Sequence, residues 1–122
     1  MVIYFYPKDD TWICTKEACL FRDAHAAFLE LGAMVIGISA DPPGSHSIFA
    51  EHHWLPFRLL SDPAGAAYRA FGLKDFMGLK QRATFVIDGS GVIRSAISNR
   101  LLASKHVRGA LAALRDQRLA RS

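Results

Sequence analysis

The sequence predicts an α/β fold, a central mixed β-sheet with helices on both faces. Three observations carry this. Short apolar runs rich in β-branched and aromatic residues alternate along the chain with segments whose apolar residues recur at helical spacing. The first of these runs is apolar throughout rather than alternating, as expected of a strand covered on both faces. The last two runs are separated by Gly89-Ser90-Gly91, a hairpin signal. At 122 residues, half of them hydrophobic, residues 1–122 are expected to form a single domain.

Taken in order, "VIYFY" (2–6) is a buried strand ended by Pro7, and "KDDT" is a turn. From Cys14 to Leu31, Ala18, Phe21, Ala24, His25 and Phe28 follow helical spacing, and Gly32 closes the helix. "AMVIGIS" (33–39) is a second buried strand, "ADPPGS" a turn and "HSIFAEHHW" a short helix. "FRLLSD" gives a third strand. "PAGAAYRAFG" gives a short helix with Pro63 at its start and Gly72 after its end. "KDFMGLKQ" is an irregular loop, and "ATFVID" and "VIRSAIS" pair as a hairpin. Ala103 to Ala120 is an amphipathic helix with Val107, Leu111, Leu114 and the flanking alanines on one face. Strands alternating with helices imply right-handed crossovers and parallel pairing. With the terminal hairpin, this order is that of a thioredoxin-like layout.

The charge is +4, and it is concentrated at one end. Residues 100–122 hold Arg100, Lys105, Arg108, Arg115, Arg118 and Arg121 against the single acid Asp116. No aromatics interleave with these cations as single-strand nucleic-acid binders require, so a solvated helix end is expected and no nucleic-acid partner. No apolar run approaches the roughly 18 residues of a membrane span. The opening "MVIYFYP" lacks the charged leader of a signal peptide. A reducing cytoplasm is therefore the expected location, where paired cysteines are more often catalytic or metal-binding than structural.

Both cysteines, Cys14 and Cys19, lie just behind the first strand. In open α/β sheets the site lies beyond the carboxyl ends of the strands. Thr11 is a natural N-cap and places Cys14 in the first helical turn, where unpaired N–H groups favour an ionised sulfur. The Thr11 hydroxyl can donate and accept, so it can bridge the sulfur and a substrate oxygen. In an intact helix, residues five apart have Cα atoms about 8.6 Å apart. A disulfide needs roughly 7 Å or less. Cys14 and Cys19 cannot pair while the helix is whole, which fits a transient disulfide better than a permanent one. The alternative is that both are small buried hydrophobes, and Cys19 alone fits that well. One Cys-x4-Cys pair is a poor zinc site, so no metal is expected and no cofactor.

The stretch "YFYPKDDTWICTKEACLFRD" resembles the active-site segment of peroxiredoxins, most closely the peroxiredoxin Q (bacterioferritin comigratory protein) group. "VIGISAD", "LPFRLLSD" and "RATFVID" resemble the same group in the same order. The superfamily pattern Pro-x-x-x-Thr/Ser-x-x-Cys is met by Pro7, Thr11 and Cys14. Glu17 matches a glutamate that orients the catalytic arginine, Arg82 matches that arginine, and Cys19 stands where many members keep a resolving cysteine. The group usually reads Thr-Pro-Gly-Cys, where this chain has Trp12 and Ile13, and usually has further strands ahead of the first one here. The resemblance implies a thiol peroxidase. Cys14 thiolate would attack a hydroperoxide and become a sulfenic acid, Arg82 would stabilise the developing charge, Cys19 would condense with the sulfenic acid, and thioredoxin or a similar dithiol would reduce the disulfide. A non-catalytic redox-sensing or binding module on the same fold is the alternative. With the usual N-terminal segment lacking, Phe5, Trp12 or Trp54 are expected to be exposed and to favour a homodimer.

Among other candidates, His46, His52 and His53 show no metal-binding pattern and read as surface histidines. Ser39 lacks the second glycine of a nucleophile elbow and reads as a strand end. Phe76 and Met77, in the loop before Arg82, line the mouth of the site or simply pack.

Overall fold

A computed structural model describes residues 1–75, 77, 79–99 and 102–121, the last four of these by backbone alone. In chain order the elements are β1 (Val2–Phe5), α1 (Trp12–Asp23), α2 (His25–Glu30), β2 (Val35–Ser39) and α3 (Pro43–His52). They continue with β3 (Arg58–Ser61), α4 (Ala66–Ala70), β4 (Ala83–Ile87), β5 (Ile93–Ser98) and α5 (Ala103–Arg121). The sheet order is β3-β2-β1-β4-β5. β1, β2 and β3 run parallel, and β4 and β5 are antiparallel to their neighbours, with a register shift at Val86/Ile87. The expected mixed α/β sheet is present, with β1 at its centre.

Central placement explains why "VIYF" carries no polar residue. Its side chains alternate between two cores, and each core needs apolar cover. Val2 and Tyr4 enter one core with Phe21 of α1, Phe28 of α2 and Val107, Ala110 and Leu114 of α5. Ile3 and Phe5 enter the other with Tyr68 of α4, Leu73 and Phe85. Helices thus cover both faces. Phe5, expected to be exposed, is buried instead, because the rings of Tyr68, Phe71 and Phe85 close over it. Trp12 and Trp54 are exposed as expected.

The first core contains a close approach that only glycine permits. Gly37 pairs with Tyr4 across the β1–β2 ladder. A Cβ on Gly37 would lie 2.8 Å from Tyr4 Cζ and 2.8 Å from a Leu59 methyl. The missing side chain makes room for the Tyr4 ring, which stacks on Phe21 at 4.6 Å.

Two local expectations are corrected. The single helix Cys14–Leu31 is two helices, broken at Ala24, whose ψ of 4° leaves the helical region. Phe21 and Phe28 are both fully buried, with ring centroids 5.7 Å apart. Residues seven apart share a helical face, and both side chains enter one core across the break. The short helix after Pro63 does not begin there. Gly65 adopts the left-handed conformation its lack of a side chain allows, and α4 begins at Ala66. Asp62 takes the capping role, with its two carboxylate oxygens accepting from Ala67 and Tyr68 N–H. The arginine-bearing helix α5 is amphipathic as expected, with Lys105, Arg108 and Arg115 exposed. No helix among the described residues is long and apolar enough to cross a membrane.

Candidate active site

The turn after β1 is held from two sides. Asp9 is buried and accepts hydrogen bonds from Tyr6 Oη at 2.6 Å and Ser45 Oγ at 2.8 Å, and meets His46 Nδ1 at 2.8 Å. Its N–H donates to Asp41 at 2.7 Å, and Ser39, at the end of β2, donates to the same carboxylate. His46 reaches on to the Leu60 carbonyl at 3.1 Å. The expectation of a surface histidine fails at His46, which is buried against the Asp9 carboxylate. The partner lies on the β1 turn, and nothing local in the sequence announces it. His52 is exposed as expected, and His53 is half-buried. Asp9, Asp41 and His46 bring ligand atoms within 4.8 Å of one another, but these atoms are engaged by the hydrogen bonds just described.

Pro7 is half-buried in this turn. Thr11 occupies the N-cap position of α1, in extended conformation, without a side-chain capping bond. Its hydroxyl donates to the Lys8 carbonyl at 2.9 Å. This corrects the expected bridge. A hydroxyl has one proton, so Thr11 is left as an acceptor toward a substrate O–H rather than a donor to sulfur. The first intrahelical bond runs from Thr15 N–H to Thr11 O at 2.8 Å. Trp12, Ile13 and Cys14 N–H therefore precede the ladder and supply the positive end of the helix.

Cys14 is buried within this first turn. Glu17 lies three residues on, hence on the same helical face, and is fully buried. Arg82, immediately before β4, reaches both: Nη2 donates to Cys14 Sγ at 3.2 Å and Nη1 to Glu17 Oε1 at 2.9 Å. Antiparallel pairing of β4 with β1 delivers Arg82 here, since Ala83 pairs with Phe5. Burial works against the Arg82 cation, but Glu17 and Cys14 outweigh it and hold its pKa above the usual arginine value. Burial raises the Glu17 carboxyl to about 7, against the opposing pull of Arg82. The site thus places a sulfur beside a fixed cation and a helix N-terminus, an arrangement suited to a thiolate and to charge developing on an oxygen.

One participant escaped the sequence reading. His106 of α5 is fully buried, with Nδ1 at 2.7 Å from Thr84 Oγ1, Nε2 at 2.8 Å from the Asn99 carbonyl and Nδ1 3.6 Å from Glu17 Oε2. Burial lowers its pKa, opposed by the Asn99 carbonyl and assisted by the Arg82 charge. Asn99 O can only accept, so Nε2 carries the proton and Thr84 donates to Nδ1. His106 therefore stands behind Glu17. The signal available was its place on the buried face of α5, between Ala103 and Ala110.

Cys19 is half-buried and, like Cys14, a free thiol. Both lie in unbroken α1, so the Cα separation of about 8.6 Å for residues five apart applies. Cys19 Sγ is 3.9 Å from His53 Nδ1, whose Nε2 is 3.8 Å from Asp10 Oδ1. A cleft of about 620 Å³ lined by Asp10, Trp12, Thr15, Lys16 and Cys19 opens beside it. Met77 is exposed, in a left-handed backbone conformation. Phe76, the other residue expected at the mouth, lies outside the described residues.

Comparison with known proteins agrees with this geometry. The AhpC/TSA family profile matches residues 1–96. Chloroplastic peroxiredoxin Q of Populus jackii is 44% identical over 109 residues, covering 88% of this chain and 51% of that protein. The chain thus spans about half the length of the curated relatives it matches. Peroxidoxin BcpB from Mycobacterium tuberculosis has a TM-score of 0.87 at 39% identity, covering 94% of this chain and 77% of the other. A cysteine mutant of peroxiredoxin Q from Xanthomonas campestris has a TM-score of 0.85 at 34% identity, covering 95% and 78%. With a Pro7–Thr11–Cys14 turn, a buried arginine on the sulfur and these relatives, the chain belongs to the AhpC/TSA family, in its peroxiredoxin Q group.

Proposed function

We propose that the protein is a thiol-dependent peroxidase that reduces hydrogen peroxide and organic hydroperoxides to water or alcohols. The observation that carries this is the buried Cys14 sulfur at 3.2 Å from Arg82 Nη2, in the first turn of α1. The thiolate attacks the terminal oxygen of the hydroperoxide. The O–O bond breaks, the remaining oxygen leaves with a proton as water or alcohol, and Cys14 becomes a sulfenic acid. Arg82 stabilises the charge developing along the O–O bond, Thr11 accepts from the substrate O–H, and Glu17 holds Arg82 in place. Cys19 then condenses with the sulfenic acid, releasing water. Thioredoxin or a similar dithiol returns the disulfide to two thiols by exchange. The cycle requires a reducing compartment such as the cytoplasm. Exposed Trp12 and Trp54 favour self-association as a homodimer, which light scattering at high concentration tests, a strict monomer counting against it. The function is tested by peroxide consumption by the purified protein with thioredoxin and its reductase. Absence of turnover, or full turnover by Cys14→Ser, would end this reading.

A further inference from the structure

Cys19 has a neighbour that the peroxide step does not use. His53, just after α3, directs Nδ1 at Cys19 Sγ over 3.9 Å and Nε2 at the Asp10 carboxylate over 3.8 Å. A carboxylate can only accept, so the tautomer that turns Nε2–H toward Asp10 leaves the Nδ1 lone pair facing the thiol. Asp10 holds this position in a left-handed backbone conformation, φ 60°, uncommon for a residue other than glycine. Nucleophile, base and orienting acid in line is the arrangement that activates a sulfur. The contacts are longer than in a committed complex, as is common before a reaction partner is in place.

We infer that His53 is the general base of the resolving step, with Asp10 as its positioning residue. The inference rests on the peroxidase reading for the origin of the sulfenic acid. His53 takes the thiol proton of Cys19, whose sulfur attacks the sulfur of Cys14. The S–O bond breaks and the S–S bond forms. The departing hydroxide leaves as water with the proton His53 received. The Cys14 sulfur is reduced from the sulfenic to the disulfide level as the Cys19 sulfur is oxidised to it.

For this to work, Cys14 must come to Cys19. The structure favours that direction. Ala18 and Phe21, either side of Cys19, are fully buried, and Arg22 Nη1 donates to the His53 carbonyl at 2.8 Å, tying this turn of α1 to the end of α3. The N-terminal turn is held by Arg82 through Cys14 and Glu17, and among the described residues it meets His53 only through the exposed Asp10. His53 therefore stays beside Cys19 while the first turn opens.

The test uses Cys14→Ser, in which Cys19 is the sole thiol, and follows its alkylation by iodoacetamide from pH 6 to 9.5. The charged and titratable groups around His53 are Asp10, Arg22, His52 and Cys19 itself. A thiol of ordinary pKa is about 3% ionised at pH 7, so complete ionisation gains at most about 30-fold in thiolate. Reduced nucleophilicity of the better-ionised sulfur cuts this to about threefold. Adding His53→Gln should lower the alkylation rate at pH 7 by up to about threefold while the rates converge at pH 9.5. Asp10→Asn, which tolerates the left-handed backbone, should lower it by a smaller factor. In the chain with both cysteines, His53→Gln should lengthen the lifetime of the Cys14 sulfenic acid, read by dimedone trapping. Equal rates at pH 7 for both variants and their parent overturn the proposal, as does an equal loss at pH 7 and 9.5, which would mean altered access. Alkylation needs no peroxide, so failure here is read separately from failure of the peroxidase reading.

Discussion

Replacing Glu17 with glutamine tests the electrostatics of the site directly. Burial raises the Glu17 carboxyl to about 7, from 4.5 in a solvated chain. Between those values the folded protein keeps a proton that the unfolded chain has lost. The stability this contributes is full below about pH 4.5, declines as pH rises, and is gone above about 7. The interval corresponds to roughly 3 kcal/mol. Glutamine keeps an oxygen to accept from Arg82 Nη1 and does not titrate, so the variant lacks this term. Urea unfolding of both proteins in reductant, from pH 4.5 to 7.5, gives the difference in stability. Groups away from Glu17 are common to both chains and largely cancel in the difference. The variant should gain roughly 3 kcal/mol relative to the parent across the range. A flat difference, or one of opposite sign, would mean that Arg82 keeps Glu17 ionised throughout, and would refute the balance between burial and ion pairing argued here.

Four other perturbations test the structure. Cys14→Ser should abolish peroxide reduction, and Arg82→Lys, which cannot grip sulfur and carboxylate together, should lower kcat/KM by about 10²–10³, measured in the thioredoxin-coupled assay. One equivalent of peroxide should produce an intramolecular disulfide, lower helical circular dichroism and faster amide exchange over 11–18, all reversed by dithiothreitol; oxidised protein with two free thiols would contradict it. Gly37→Ala should destabilise by about 1–3 kcal/mol in urea titration, because the new methyl would sit 2.8 Å from Tyr4 Cζ and a Leu59 methyl.

Local chemistry was legible in the sequence, and distant partnership was not. The all-apolar β1, the Gly89-Ser90-Gly91 hairpin, the stop at Gly72 and the place of Cys14 in a first helical turn all follow from neighbours in the chain. The break at Ala24 did not, because alanine carries no stop signal. Asp62 went unread as the cap of α4 because Pro63 offered a simpler start. His46 read as a surface histidine, and His106 went unread. Their burial depends on Asp9 and Thr84, 37 and 22 residues away. Arg82 became legible through the family pattern, since one arginine before a strand carries no local mark of the sulfur it will meet.

The central position of β1 sets the order in which reactivity can arise during synthesis. A ribosome delivers Cys14 68 residues ahead of its partner Arg82, which directly precedes a strand that must insert beside β1. The fully buried His106 behind Glu17 comes later still. Until that last third of the chain has emerged and paired, β1 has an open edge and Cys14 is an ordinary thiol at the end of it. Contacts this distant form late, after the entropy of closing long loops has been met. The Arg82–Cys14 contact on which the proposed peroxide reaction rests is therefore lacking in a chain in which β4 has not yet paired with β1.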